Sequence, residues 1–144
     1  MNAKDYLKQL KKLDVMIQDM EEQLEFLHEQ ASSAGAIRYD KEKIQMTQVS
    51  SKLEELVLSY IELENEIKKE RLTFQLKKQK IIHEIHEIDD IEGKYISVLY
   101  KRYVEYKSYE LIAVEMNYSF DYVKELHRDA LERFHRKHPT LSHL

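Results

Sequence analysis

Cysteine and tryptophan are absent from this chain of 144 residues, which also contains only one proline and two glycines. Without cysteine the chain has no disulfide framework and no thiolate chemistry, so we expect it to work in a reducing cytoplasm. Few glycines and prolines leave few places for turns, and charged residues make up 35% of the chain. Such a composition is typical of long solvated helices. The length suits one domain, or one small domain plus an extended element.

Long apolar runs are also missing. The first residues, MNAKDYLKQLKKLD, alternate charge with leucine, and no window offers the unbroken apolar stretch of a signal peptide or a membrane span. We therefore predict a protein that does not associate with membranes.

Charge is distributed unevenly along the sequence. Residues 1–90 contain 14 Lys and Arg against 19 Asp and Glu, whereas residues 91–144 contain 9 against 8. A modest basic bias permits nucleic-acid binding. Because an acidic N-terminal part repels phosphate, we expect any contact with DNA to lie in the C-terminal third.

Two heptad patterns occupy the N-terminal part, and the second of them consists of Val49, Leu53, Leu56, Tyr60, Leu63 and Ile67. In the first, apolar residues are spaced alternately by four and three: Tyr6, Leu10, Leu13, Ile17, Met20, Leu24, Leu27 and Ala31. This spacing predicts a helix that packs along a narrow seam. We expect it to end near Gly35, with a loop over about Ser32–Asp40, and a second helix to follow from about Lys41 to Ile88.

These two helices are predicted to form an antiparallel coiled-coil hairpin over residues 1–88. The second helix exceeds the first by about 18 residues, or roughly 27 Å at 1.5 Å per residue. Its excess apolar stripe needs a partner, either the C-terminal unit or a second chain. We therefore expect a homodimer through the coiled coil.

A compact C-terminal unit of three helices is predicted over residues 91–138, after a joint at Asp89–Gly93. Its first helix is expected from about Ile91 to Tyr106, with Ile91, Tyr95, Leu99 and Tyr103 on one face. Residues 139–144 are expected to be a flexible tail. The predicted fold is thus all-α, with a coiled-coil hairpin followed by a three-helix unit.

The stretch SYELIAVEMNYSFDYVKELH, residues 108–127, has the pattern of a helix-turn-helix. Ala113 is small where the second helix approaches, Asn117 falls at a corner that favours a left-handed conformation, and Ser119 is a good N-cap. The apolar residues expected to pack between the two helices are Ile112, Met116, Val123 and Leu126, and Tyr118 is expected to fold inward.

This alignment places one solvent face at the start of the second helix, where a helix-turn-helix enters the major groove. The face comprises Ser119, Phe120, Asp121, Lys124, Glu125 and Arg128. Lys124 and Arg128 are suited to guanine edges or phosphates, and Asp121 and Glu125 to cytosine. The alternative interpretation of the same residues is a solvated charged surface.

The segment SYELIAVEMNYSFDYVKELHRDALERF resembles region four of bacterial sigma factors. The whole chain is similar to small phage proteins of the ArpU and RinA type, which regulate late transcription. Their C-terminal motif reads YxxGKSYEEIAxEMGYS, and this chain has RYVEYKSYELIAVEMNYS over Arg102–Ser119, with Tyr106 and Asn117 in place of the glycines. The segment Ile37–Val57 is similar to a VQxS-containing stretch of that family. The resemblance implies a phage or prophage DNA-binding regulator in the bacterial cytoplasm.

Other candidate sites are weaker. His83 and His86 have a spacing that metals can use, but no third ligand is identifiable, so exposed helix residues are the better interpretation. The tyrosines near residue 100 are expected to pack in the C-terminal core rather than stack on bases. No phosphate-binding glycine loop, catalytic triad or nucleophile elbow is present in the sequence. We therefore expect no enzyme, no cofactor, no metal and no small-molecule substrate.

The sequence thus predicts a dimeric regulator that binds double-stranded DNA sequence-specifically, most simply an activator of phage late genes. Two alternatives stay open. One is a DNA-packaging protein of the small-terminase type, and the other is an interaction module that binds host RNA polymerase through the coiled coil. The target sequence and the direction of regulation are not encoded in any pattern we recognise.

Overall fold

Only helices occur in the described part of the chain. The structure is a computed structural model, and it describes the backbone of residues 2–40 and 46–141 and the side chains of residues 2–32 and 51–141. The elements in order are α1 (Ala3–Asp40), α2 (Met46–His86), α3 (Lys94–Leu99), a π-helical turn (Tyr100–Val104), α4 (Tyr109–Met116) and α5 (Phe120–Lys137). The predicted all-α class is confirmed.

Helix α1 runs through Gly35 without a break. The predicted helix end at Gly35 and the predicted loop Ser32–Asp40 are therefore wrong. A single glycine costs a helix only about 1 kcal/mol relative to alanine, and Ala34 and Ala36 on either side favour the helix. Residues 41–45, which were expected to begin the second helix, lie outside the described residues.

The two long helices are nearly equal in length, with 38 residues in α1 and 41 in α2. The predicted excess of the second helix is wrong, because α1 continues past its expected end and α2 ends at His86. Unequal length consequently gives no support to the expected homodimer.

The chain divides into two compact units. The first consists of Met1–Val15 and Leu76–Leu144, and the second of Met16–Gln75. This division differs from the predicted segments 1–88 and 91–138, because the first turns of α1 and the last turns of α2 bury their apolar side chains with the C-terminal helices.

In the second unit, the buried side chains of α1 belong to the predicted heptad, whereas Leu56 and Leu63 of the predicted α2 heptad are exposed, by 39% and 45%. Met20, Leu24 and Leu27 of α1 form a buried cluster with Ile67 of α2, and Tyr60 and Phe74 of α2 pack against this cluster. At its edge, the Nε2 atom of His28 lies 3.1 Å from a carboxylate oxygen of Glu64.

The core of the first unit draws on every helix. Its buried apolar residues are Ala3, Tyr6, Leu7, Leu10, Leu13, Ile81, Ile85, Ile88, Val98, Leu99, Tyr103, Ile112, Ala113, Val123, Leu126, Ala130 and Phe134. The Tyr6 hydroxyl donates to both carboxylate oxygens of Glu84, at 3.0 and 2.9 Å. Its ring centroid lies 5.9 Å from that of Phe134 in α5. Burial and the neighbouring Glu84 carboxylate raise the pKa of Tyr6.

Helix α3 begins later than the sequence suggested. The Asp90 carboxylate accepts from the backbone N–H of Gly93 at 2.9 Å and from that of Ile96 at 2.8 Å. Gly93 adopts a left-handed φ of 82°, which suits glycine because it lacks a Cβ. In this turn, which the Asp90 side chain stabilises, Ile91 is fully exposed to solvent. The predicted position of Ile91 on the buried face is therefore wrong.

The end of the chain is described as far as Leu141, whose N–H donates to the His138 carbonyl at 3.2 Å. The predicted flexible tail therefore lies partly outside the described residues, at 142–144. Within residues 2–40 and 46–141, none of the helices combines the length and the apolar character that crossing a bilayer requires.

Leu99 and Ile91 provide a matched pair for testing this core, because the heptad-like spacing puts both on one face whereas only Leu99 is buried. We expect Leu99→Ala to lower the free energy of unfolding by about 2–5 kcal/mol, through lost burial and a residual cavity. We expect Ile91→Ala to change it by less than about 0.5 kcal/mol. Urea denaturation followed by circular dichroism measures both, and equal losses would contradict the described position of Ile91.

Candidate nucleic-acid interface

Helices α4 and α5 meet at a three-residue corner, Asn117–Ser119. Asn117 has left-handed angles, φ 59° and ψ 41°. The N–H of Tyr118 donates to the carbonyl of Ala113 at 3.0 Å, and the N–H of Asn117 reaches the carbonyl of Val114 at 3.4 Å. These two bonds form a Schellman motif, in which a left-handed residue ends a helix and satisfies its last carbonyls. Asparagine tolerates this conformation better than most residues.

Helices α4 and α5 both begin after a serine cap. The Ser119 hydroxyl oxygen accepts from the N–H of Tyr122, and the Ser108 hydroxyl oxygen from the N–H of Leu111, each at 3.2 Å. A side chain in this position satisfies one of the backbone donors that a helix start leaves free. The left-handed Asn117 and the Ser119 cap agree with the sequence interpretation of this corner.

Beneath the corner, small and branched apolar side chains fill the space between the helices. Ile112, Val123 and Leu126 are almost fully buried, Ala113 is buried, and Met116 is half-buried. Tyr118 is exposed, contrary to expectation. Its ring instead packs edge-on against Tyr122, with centroids 4.8 Å apart, because the left-handed Asn117 directs the chain outward at this point.

Aromatic rings from the π-helical turn and from α4 pack against α5 around the buried His127. The Tyr103 hydroxyl lies 2.7 Å from Nε2 of the buried His127, and the Tyr109 hydroxyl lies 3.5 Å from its Nδ1. A neutral imidazole has one donor and one acceptor, so two hydroxyls satisfy both of its nitrogens. The burial of His127, with 6% of its surface exposed, was not predicted from the sequence.

Burial, with smaller contributions from Arg102 and Lys4, lowers the pKa of His127 from 6.5 to about 4. The imidazole is therefore neutral in the folded protein at neutral pH. Burial likewise raises the pKa of Tyr103, which keeps its hydroxyl protonated.

The residues predicted to contact DNA share one exposed surface. Ser119, Phe120, Asp121, Lys124, Glu125 and Arg128 are all exposed. The Lys124 ammonium lies 5.2 Å from the centroid of the Phe120 ring. The Tyr109 ring meets Phe120 edge-on at 6.5 Å. Phe120 is thus partly covered, and it connects this surface to the aromatic rings around His127.

An ion-pair cluster ties α4 to the preceding π-helical turn. The Glu115 carboxylate lies 2.9 Å from the Lys101 ammonium and 2.8 Å from that of Lys107. Hydrogen bonds from both lysines lower the pKa of Glu115. Being exposed to water, the cluster orients these elements and contributes little to stability.

Tyr106 and Asn117 are the two non-glycine residues with positive φ in the described ranges, at 58° and 59°. Tyr106 holds its conformation through contacts that only a long side chain makes, since its hydroxyl donates to the Leu10 carbonyl at 3.3 Å and to the Asp14 carboxylate. The left-handed conformation was predicted from the sequence at Asn117 but not at Tyr106.

The histidine pair that was considered for metal binding has other partners. His83 lies 3.2 Å from the Glu87 carboxylate, and the ring of His86 lies 6.0 Å from that of Tyr100. Both histidines are exposed, as predicted, whereas Glu84 between them is buried, with 5% of its surface exposed. Over the described ranges, no three acidic or histidine side chains are grouped to hold a metal ion.

Comparison with models of protein families, with curated proteins and with solved structures finds no significant match to this chain. Its function is therefore argued from the geometry and chemistry of the surface described above.

The neutral His127 predicts a specific dependence of stability on pH. Between its folded pKa of about 4 and the unfolded value near 6.5, the unfolded chain binds a proton that the folded chain does not. The contribution of His127 to stability is hence fully present above pH 6.5 and is lost as the pH falls toward 4. It amounts to about 3 kcal/mol over that range, at 1.36 kcal/mol for each unit of pKa.

We expect His127→Gln to remove this part of the slope, because glutamine offers a donor and an acceptor but does not titrate. Urea denaturation at pH 4.5 to 7.5 measures the difference in slope between variant and wild type. His83→Gln is the matched control, since the His83 side chain is 77% exposed. An unchanged slope in His127→Gln would contradict a neutral buried imidazole.

Proposed function

We propose that this chain is a transcriptional regulator of the phage type, which binds double-stranded DNA through a helix-turn-helix formed by α4 and α5. It acts as a homodimer in the bacterial cytoplasm, has no enzymatic activity, and carries the helix-turn-helix after a coiled-coil hairpin of α1 and α2. The observation that carries the proposal is the corner at Asn117, where a left-handed end of one helix is followed at once by a capped start of the next.

This corner fixes how α5 presents its first turns. With Ile112 and Val123 buried between the helices, the opposite side of α5 faces solvent along Phe120, Lys124 and Arg128. A helix-turn-helix contacts base edges with the N-terminal residues of its second helix. The partial positive charge at a helix N-terminus also favours a nearby phosphate.

The chemistry of this surface suits mixed base pairs rather than general attraction to DNA. Lys124 and Arg128 donate to guanine O6 and N7, while Asp121 and Glu125 accept from the cytosine amino group. The two carboxylates lie among the exposed residues of the same turns and oppose phosphate at any sequence. This combination favours recognition of a particular sequence over non-specific binding.

The resemblance to phage late-transcription regulators supports the same proposal. Two glycines of the family motif correspond to Tyr106 and Asn117, and both residues have the positive φ that glycine readily adopts. Agreement at two separate positions is more than chance spacing of apolar residues provides. Of the second resemblance, at Ile37–Val57, the side chains of residues 37–50 lie outside the described residues.

The homodimer rests on the surface of the second unit. There α2 exposes Leu58, Ile61 and Leu72, by 58%, 47% and 53%. Leu58 and Ile61 are three residues apart, and Leu72 follows Leu58 by two heptads, so all three lie on one face of α2, with Asn65 and Lys68 at the heptad positions between them. An apolar stripe on a charged helix is a site of association between chains.

For DNA binding, we expect Lys124→Ala with Arg128→Ala to weaken binding to the native promoter region by about 2–6 kcal/mol, because each bidentate base contact is worth about 1–3 kcal/mol. The loss should be much smaller on a random duplex of the same length. A mobility-shift titration measures both, using a duplex selected from genomic fragments that the wild type retains.

Lys52→Ala with Lys69→Ala is the matched control, because it removes the same charge from exposed positions of the second unit. Equal binding of the selected duplex by wild type and by the Lys124 and Arg128 double variant would refute the proposed reading surface, which we define as Ser119, Phe120, Asp121, Lys124, Glu125 and Arg128.

For the dimer, we expect Leu58→Gln with Ile61→Gln to convert a particle of two chains into one of a single chain, since both side chains lose their apolar surface. Size-exclusion chromatography with light scattering gives the mass. Ser51→Gln with Glu62→Gln changes exposed polar positions of the same helix and should leave the mass unchanged. A ring of many wild-type chains would favour the DNA-packaging alternative instead.

A further inference from the structure

A basic groove of about 640 Å³ lies in the first unit, between the start of α1 and the π-helical turn. Its lining residues are Lys8, Lys11, Lys12, Val15, Arg102, Tyr103 and Tyr106. Four of the seven are cationic and none is acidic. A concave surface of one charge sign concentrates ligands of the opposite sign.

The first turns of α1 separate apolar from basic residues. Tyr6, Leu10 and Leu13 are buried in the core. Lys8 and Lys11 are exposed, and at 100° per residue they lie on the opposite side of the helix. Lys4 belongs to the same basic side and is close enough to His127 to contribute to lowering its pKa.

Arg102 is held in place by the elements around it. Its guanidinium lies 4.1 Å from the centroid of the Tyr109 ring and donates to the Lys107 carbonyl at 2.9 Å. A guanidinium fixed in this way loses little freedom when it binds an anion. The ammonium of Lys11 lies 6.0 Å from the centroid of the Tyr106 ring, so an aromatic face forms part of the same wall.

The Asp14 carboxylate of α1 is already engaged. Asp14 lies 2.5 Å from the ammonium of Lys78 and also accepts from the Tyr106 hydroxyl. Asp14 is therefore paired with residues other than Lys8, Lys11 and Lys12, and the groove lining keeps a net positive charge.

The groove is connected to the proposed reading surface by direct side-chain contacts. Tyr109 contacts Arg102 on one side and Phe120 on the other. Phe120 in turn contacts Lys124. These contacts join the groove to the surface on which we propose that the duplex binds, so a duplex is the occupant that the arrangement favours, whereas a free acidic peptide would gain nothing from that continuity.

We propose that this groove binds the phosphate backbone of the DNA duplex next to the segment read by α5, with Lys8, Lys11 and Arg102 as the main contacts. The inference rests on the proposed function and deepens it, because it assigns sequence-independent affinity to the N-terminal helix. It also reverses the sequence-based expectation that contacts with DNA are confined to the C-terminal third.

The test is a salt titration of binding by fluorescence anisotropy, on the selected duplex and on a random duplex of equal length. Each phosphate contact contributes about 0.9 to the slope of log K against log salt concentration. We expect Lys8→Gln with Lys11→Gln to reduce that slope by about 1.8. Binding should weaken on the order of tenfold, by a similar factor on both duplexes.

The control is Lys52→Gln with Lys69→Gln, an equal change of charge in the second unit, which should leave both slopes near the wild-type value. Circular dichroism of the variant Lys8→Gln with Lys11→Gln checks that it folds, which we expect because both positions are exposed. An unchanged slope for this variant, while wild type still prefers the selected duplex, would overturn the groove alone. Retention of no duplex by wild type at low salt would overturn the groove and the proposed function together.

Discussion

Tyr6 is the residue through which the first turns of α1 are joined to the rest of the first unit. Its hydroxyl donates to the buried Glu84 of α2, and its ring packs against Phe134 of α5. A buried carboxylate is costly unless a donor accompanies it, so Glu84 requires Tyr6 as much as Tyr6 requires the apolar core. His138 adds a further link, since its Nε2 lies 2.9 Å from the Glu84 carbonyl. Because α1 is anchored here, its lysines lie beside Arg102 instead of projecting freely into solvent.

Local signals predicted the corner between α4 and α5 well. Asn117 adopts the predicted left-handed conformation at the end of α4, and Ser119 caps α5 as its sequence suggested. Both features depend on hydrogen bonds within a few residues, which is why a short stretch of sequence contains the information. Whether the exposed surface of α5 reads DNA depends on a partner, and no intrachain pattern decides that.

Features that depend on distant residues escaped the sequence. No residue close to Glu84 in the sequence indicates that it is buried, because its hydrogen-bond donor, Tyr6, is 78 residues away along the chain. The left-handed conformation of Tyr106 depends on Leu10 and Asp14 in the same way. Regular spacing assigned Ile91 to the buried face. Ile91 instead lies before α3, in a turn that the Asp90 carboxylate stabilises through two hydrogen bonds to backbone N–H groups. The spacing of apolar residues assigns each residue to a helix face, but it does not show at which residue the helix begins.

The fold also redistributes charge in a way that a division of the sequence conceals. The first unit, Met1–Val15 with Leu76–Leu144, contains 16 Lys and Arg against 14 Asp and Glu, whereas Met16–Gln75 contains 7 against 13. The net charge of −4 therefore combines a weakly basic unit with a strongly acidic one. The α5 surface with Lys124 and Arg128 also carries Asp121 and Glu125 and so has no net charge; under the proposed function, attraction to phosphate therefore has to come from elsewhere. The lysines at the start of α1 are in the basic unit and can supply it. Under the proposed function, affinity and specificity reside on different helices, and a change in one need not alter the other.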